Sequence, residues 1–150
     1  MAQRNLVAHF DELPWIPMKD LPGFDGADHP GMEGKFFGDI DEGPWFYLVR
    51  HSAGTRIPRH THGGTVTHYL LEGEWDLDGE KVTPGHWHHE IPGTYWGPVI
   101  SGDQGSMVIA IYDRYPSFVP WKPGDDDWTP PADYWDWAHG RKNEDDATSA

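Results

Sequence analysis

The sequence has no cysteine in its 150 residues. Disulfides, thiolate nucleophiles and Cys-ligated zinc or iron–sulfur sites are therefore excluded. Cations are scarce as well. The 11 Lys and Arg stand against 25 Asp and Glu, a formal net charge of −14. Nucleic-acid affinity is built from clustered cations, so a phosphate-backbone binder is excluded. An anionic membrane surface repels such a chain for the same reason. No apolar run approaches the roughly 20 residues that span a bilayer. The first ten residues, MAQRNLVAHF, hold one Arg and no long apolar segment, and do not read as a secretory signal. Cytoplasmic residence is the default expectation.

What is present points to a turn-rich, aromatic-packed fold. Gly (18) and Pro (14) are frequent, which suits turns and disfavours long helices. Aromatics make up 14% of the chain, including nine Trp, so a small all-β domain can bury enough apolar area although only 37% of residues are hydrophobic. The length suits one domain.

Residues 1–34, punctuated by Pro14, Pro17, Pro22 and Pro30, read as an extended arm over the body. A barrel core follows over 35–115, where short strands alternate with turn signals. Strands are expected at Phe46–His51, at Val66–Leu77 with a break at Glu72-Gly73, at His86–Ile91 and at Met107–Tyr112. The unbroken apolar run of the last predicts burial on both faces. Asp78-Gly79 is a hairpin signal. Residues 116–140 interleave Trp, Pro and Asp. Trp121, Trp128, Trp135 and Trp137 imply packing back on the barrel or on a partner, and a short helix is expected at Asp133–His139, stopped by Gly140. Residues 141–150 read as a polar, unstructured tail.

Seven of the ten histidines lie between His51 and His89. His60 and His62 form H-x-H, which in a strand puts two imidazoles on one face, and imidazole suits iron, zinc, copper and nickel. His68 keeps the same parity. His86, His88 and Glu90 share a face, while His89 points away. Each residue also has a plain structural reading. Solvent-facing H-x-H pairs are common, His68 and His88 fit hydrogen-bonded core histidines, His86 fits an exposed turn, and His51 and His89 read as surface or packed residues. His9, His29 and His139 are assigned no role.

Gly54, five residues, His60-Thr-His62, then Gly73 closing a strand, resembles the first motif of the cupin superfamily. Gly85, Gly93 and Trp96-Gly97-Pro98 resemble the second. The resemblance covers about residues 35–113 and implies an all-β fold, a single small jelly-roll β-barrel. Two positions depart from the pattern. The usual glutamate falls at Val66 or Thr67, and the usual last histidine falls at Trp96, whose indole N–H cannot ligate a metal. Only two of the four usual ligands stay in place, so the site is either lost or rebuilt. A rebuilt site would consist of His60, His62, His68 and His88, with Glu90 against the metal or behind a ligand.

Within cupins, the LPWIP, RHTHGG, HYLLEGEW and GTYWGP segments resemble small ketone-cleaving dioxygenases of the acetylacetone and dihydroxyacetophenone type. That resemblance implies one ferrous ion on histidines alone, a β-dicarbonyl or hydroxyketone substrate, dioxygen, and C–C cleavage. Glu90 would orient a ligand or take the substrate proton. Tyr69, Trp75, Trp87, Tyr95 and Trp96 are candidate pocket walls, with core packing as their other reading. Arg50 and Arg56 would steer an acidic substrate or simply sit exposed. A redox-neutral Zn(II) cyclase, isomerase or lyase is the second expectation, and a non-enzymatic metal or small-ligand sensor the third. A homodimer is expected from the resemblance and the aromatic flanks.

Overall fold

The computed structural model describes residues 7–24 and 30–138. The expectations for His29, His139, Gly140 and the 141–150 tail lie outside these residues. The strands are β1 (Ile16–Pro17), β2 (Met32–Gly38), β3 (Trp45–His51), β4 (Arg56–Ile57), β5 (His60–Thr61), β6 (Val66–Leu77), β7 (Glu80–Val82), β8 (Trp87–Glu90), β9 (Val99–Tyr112) and β10 (Val119–Pro120). A five-residue helix, α1, spans Tyr134–Ala138. The fold is all-β, as the turn-rich sequence implies. Eight strands form one antiparallel sheet in the order β1-β2-β3-β9-β6-β7, with β4 also on β9 and β8 also on β6. β5 and β10 make a separate two-stranded pair.

Alternation along the strands builds the core. In β3, Trp45, Tyr47, Val49 and His51 are buried on one face, while on the other Leu48 is also buried, Phe46 half-buried and Arg50 exposed. In β9, Val108, Ala110 and Tyr112 are buried, whereas Met107, Ile109 and Ile111 are only half-buried. The run from Met107 to Tyr112 therefore corrects the expectation of burial on both faces. In an antiparallel sheet only one face turns to the core, even when both carry apolar side chains.

The expected break at Glu72-Gly73 is a distortion inside one long strand. β6 runs through it, and its register against β9 slips between Leu70 and Glu72 and again between Gly73 and Trp75. Gly73 has φ +74°, and a Cβ there would lie 2.0 Å from the Gly105 carbonyl oxygen. Only glycine permits both the backbone angle and the close approach.

The N-terminal arm enters the core. Met18, Leu21 and Phe24 are buried. The Tyr47 hydroxyl donates to the Pro22 carbonyl at 2.6 Å, and the Phe24 ring packs edge-on to Tyr47 and Tyr112. β2 starts at Met32, inside the stretch assigned to the arm, and pairs with β1. Outside the barrel, Lys35 donates to the Phe10 carbonyl at 2.7 Å and lies against Trp15. The C-terminal Trp segment packs on the body of its own chain. Trp121 and Tyr134 are buried, the Tyr134 hydroxyl accepts the Arg59 amide at 2.9 Å, and the Arg59 guanidinium bonds Asp126 and lies over Trp128.

Gly73→Ala is expected to cost roughly 2–4 kcal/mol, since it combines a left-handed backbone with a backbone clash. Denaturant melts should show a lower midpoint at unchanged slope. A midpoint equal to that of the native sequence contradicts this reading of the distortion.

Candidate metal centre

Two neighbouring strands fix the heart of the site. β8 pairs with β6 so that His88 faces His68 and Glu90 faces Val66. Directly opposed residues on one face of an antiparallel ladder lie about 5 Å apart at Cβ. The carboxylate expected at Val66 or Thr67 is thus supplied from across the ladder, at the same level of the barrel. His68 Nδ1 lies 2.8 Å from Glu90 Oε1, and His88 Nδ1 lies 3.3 Å from the same oxygen. His68, His88 and Glu90 each offer a ligand atom within 4.8 Å of the others. Glu90 and His68 are buried and His88 largely so.

The H-x-H pair comes from β5 and the residue beyond it. His62 Nε2 stands 4.0 Å from Glu90 Oε2. His60 and His62 meet edge to face, with centroids 4.9 Å apart. Each is turned by a backbone carbonyl. His60 Nδ1 bonds Pro58 O at 2.7 Å, and His62 Nδ1 bonds Ser117 O at 2.6 Å. A carbonyl accepts only from N–H, so both rings carry the proton on Nδ1 and keep an Nε2 lone pair for an ion. Phe118 stacks on His60 at 4.4 Å, and β10 pairs with β5. The C-terminal segment thereby holds both histidines in place.

Burial opposes charge on His62, His68 and Glu90 alike. Desolvation pushes His68 down to about 4. Desolvation, and then His68, push His62 down to about 4, with the Ser117 carbonyl working against the shift. Desolvation pushes the Glu90 carboxyl up to about 7, opposed by His88, His89 and Trp96. Burial keeps the His62 and His68 imidazoles neutral and their lone pairs available. His68 Nδ1, His88 Nδ1 and the Glu90 oxygens are buried and crowd together at 2.8 and 3.3 Å, yet none of the contacts among them is an aligned hydrogen bond. Electron-rich atoms so arranged gain their missing interaction from a shared cation, so the residues fit a divalent metal. The inclusion of Glu90 departs from the histidine-only set that the resemblance implies.

A hollow of 40 Å³ adjoins the histidines, closed by Met18, Phe24, Met32, His51, Trp75 and Trp96 among others. His51, read from sequence as a surface or packed residue, is buried in this wall. Its Nδ1 meets Ser106 Oγ at 3.1 Å, and that oxygen also takes Trp75 Nε1–H at 2.9 Å. Its alternation with Tyr47 and Val49 was the available signal. Ser117, Phe118 and Tyr112 also serve the site. Of these, only Tyr112 carried a sequence signal, through its parity in the β9 run. Three candidate walls do not line the hollow. Tyr69 follows an inward residue and is 43% exposed. Tyr95 precedes inward Trp96 and bonds Asp125 instead. Trp87 is likewise exposed. Arg50 pairs with Glu33 and Trp15, and Arg56 lies near Asp133 and over Trp137. His86 caps the turn at Thr83, and His89 bonds Thr67 outside the barrel.

The profile of the ChrR cupin-like domain matches residues 3–114. The chain belongs to the ChrR cupin-like family. No curated protein sequence matches it. Solved cupin structures share its fold. The polyketide cyclase RemF from Streptomyces resistomycificus superposes with a TM-score of 0.58 at 18% identity, covering 83% of this chain and 89% of that one. An acetylacetone dioxygenase from Acinetobacter johnsonii gives 0.53 at 14% identity, covering 75% of each chain. The anti-sigma factor ChrR from Rhodobacter sphaeroides, solved in complex with SigE, gives 0.55 at 14% identity, covering 70% of this chain and 52% of that one. At these identities the likeness establishes the jelly-roll cupin barrel. No helix among the described residues is long and apolar enough to cross a membrane.

The cupin's metal-free form should lose stability as pH falls from 6.5 towards 4. In that window the unfolded chain protonates His62 and His68 while the folded chain keeps them neutral. Glu90 acts oppositely between 4.5 and 7, where the folded chain holds the extra proton. It offers one proton against two, so the net slope of stability with pH is positive. Melts of metal-free protein across this range check the sign, and a flat or negative slope contradicts it.

Proposed function

We propose that this cupin is a metal-dependent enzyme acting on a small carbonyl compound, with one divalent ion held by His60, His62, His68 and His88 and faced by Glu90. The observation that carries the proposal is the set of buried donors converging from β6 and β8 without an aligned hydrogen bond among them. Iron(II) is the favoured ion. When bound it would supply electrons for dioxygen chemistry and a seat for a chelating pair of substrate oxygens. The reaction is then cleavage of a C–C bond in a β-dicarbonyl or hydroxyketone.

The chain's own residues have defined parts in this reading. Burial keeps His62 and His68 neutral, so they would ligate without first losing a proton. The Glu90 carboxyl, which burial pushes up to about 7 in the metal-free chain, would orient a ligand or take the proton of the acidic C–H of a β-dicarbonyl. Trp75, Trp96, Phe118 and Val108 exclude water from the hollow. The hollow has room for a molecule of water or dioxygen size only. It shares Met18, Met32 and His51 with an outer groove of 530 Å³, which also meets Lys19 and Arg50. An organic substrate would reach the donors from this side, by rotation of the two unbranched methionines.

The number of donors favours a second reading. Four imidazoles and a carboxyl exceed a three-histidine iron site and suit Zn(II), which would act as a Lewis acid in a redox-neutral cyclisation, isomerisation or lyase reaction. Metal analysis of the purified protein, with oxygen uptake over a diketone panel, separates the two. Oxygen consumption by iron-loaded protein supports the first reading, and its absence at full iron loading contradicts it. Anaerobic product formation by the zinc form supports the second. His60→Ala and His62→Ala are each expected to abolish stoichiometric metal binding. Either variant retaining one ion per chain removes the proposed site.

A further inference from the structure

Among the described residues, Met18, Met32 and His51 line both the interior hollow and the outer groove. They form the neck between the two. A thioether has no proton to give a carbonyl oxygen, so His51 carries the hydrogen-bonding group of the neck. Strand register builds a mount for it. His51 lies opposite Ser106 across β3 and β9, and Ser106 lies opposite Gly73 across β9 and β6. Just past the distortion at Gly73, the Trp75 Nε1–H donates to Ser106 Oγ at 2.9 Å. Ser101 Oγ lies 2.9 Å from the same oxygen, and His51 Nδ1 3.1 Å. All four side chains are buried. Packing alone would be met by hydrocarbon at 51, 101 and 106, as it is at Val49 and Val108 on the same strands.

The chemistry of its mount separates His51 from the H-x-H pair. His60 and His62 are each held at Nδ1 by a carbonyl, which only accepts, so one tautomer is fixed. His51 is held at Nδ1 by a hydroxyl, which both donates and accepts. Trp75 takes one lone pair of Ser106 Oγ, and the hydroxyl proton then points to His51 or to Ser101. When it points to His51, Nδ1 accepts and Nε2 carries the ring proton. When it points to Ser101, Nδ1 donates and Nε2 carries the lone pair. We infer that His51 recognises the substrate at the neck, its Nε2 bonding an oxygen of an enolisable 1,3-dicarbonyl compound. Such compounds exchange a carbonyl acceptor for an enol hydroxyl donor, and the hydroxyl mount lets the ring match either form. The inference rests on the metal-binding reading above and adds to it the residue that selects the substrate.

The test is the dissociation constant of acetylacetone on the zinc-loaded full chain, where no redox chemistry consumes the probe. Two amide variants divide the ring's functions. His51→Asn places its amide near the position of Nδ1 and keeps the bond to Ser106 without reaching the neck. His51→Gln places its amide near the position of Nε2. His51→Asn should weaken acetylacetone binding roughly 10–100-fold, the size of one lost hydrogen bond to a charged oxygen. His51→Gln should retain most of the affinity, a rescue that a purely structural histidine would not show. Zinc affinity, measured by chelator competition, should be native in both variants. The native chain gives a check that needs no variant, since the nitrogen-15 resonance of His51 Nε2 should shift when acetylacetone is added. Native-like acetylacetone binding in His51→Asn, an equal loss in His51→Gln, a parallel fall in zinc affinity, or an unmoved Nε2 resonance would each overturn the inference. So would a native zinc-loaded chain that binds no acetylacetone. A native chain that binds neither zinc nor iron would instead overturn the metal-binding reading beneath it.

Discussion

Four buried polar atoms crowd together inside this barrel without an aligned hydrogen bond among them: Nδ1 of His68, Nδ1 of His88 and the two oxygens of Glu90. Burying such groups unpaired costs several kcal/mol in total on ordinary scales. A protein held together only by its core would fill the space with hydrocarbon. The neighbouring layers show that this chain can do so, with Val66, Val108 and Leu70 almost fully buried. The desolvation that makes the cluster costly also makes it useful, because neutral imidazoles in a dry pocket are ready ligands for a cation.

The rest of the architecture holds these donors in register. β6 and β8 set His68 against His88 and bring Glu90 to the level of the missing glutamate. The C-terminal segment supplies the Ser117 carbonyl and the Phe118 ring that orient the H-x-H pair. It is tied down by Arg59, itself next to His60, through Tyr134, Asp126 and Trp128. The N-terminal segment closes the other end with Met18 and Phe24. Both flanks are thus part of the site, and a barrel cut to its motif-bearing strands would lose the groups that aim its ligands.

Much of this was legible in the sequence, for local reasons. Alternation exposed the strands, and the H-x-H spacing marked His60 and His62. Parity put His88 and Glu90 on one face of their strand and His68 on the H-x-H face of its own, and the cupin resemblance set the two strands side by side. Parity also excludes Tyr69 and Tyr95 from the interior, since each adjoins an inward residue, so their assignment to the pocket was avoidable. The inward alternation of Tyr47 and Val49 similarly placed His51 in the wall. Other features were not legible. The Val66–Glu90 pairing exists only once two strands choose a register. Ser117 and Phe118 come from proline-rich chain far beyond the H-x-H pair, with Ser117 lying 55 residues after His62 and no periodic pattern to mark it. The half-buried outer face of β9 depends on what covers the sheet, which an apolar run does not encode.

The central claim is that a single cation belongs among these donors. Anomalous diffraction from crystals of the cupin grown with Fe(II) or Zn(II) tests it most directly. The account predicts one strong peak inside the barrel, within bonding distance of His60, His62, His68 and His88 and faced by Glu90. Scattering confined to the acidic surface, with the interior donors bonded to one another or to water alone, would contradict it.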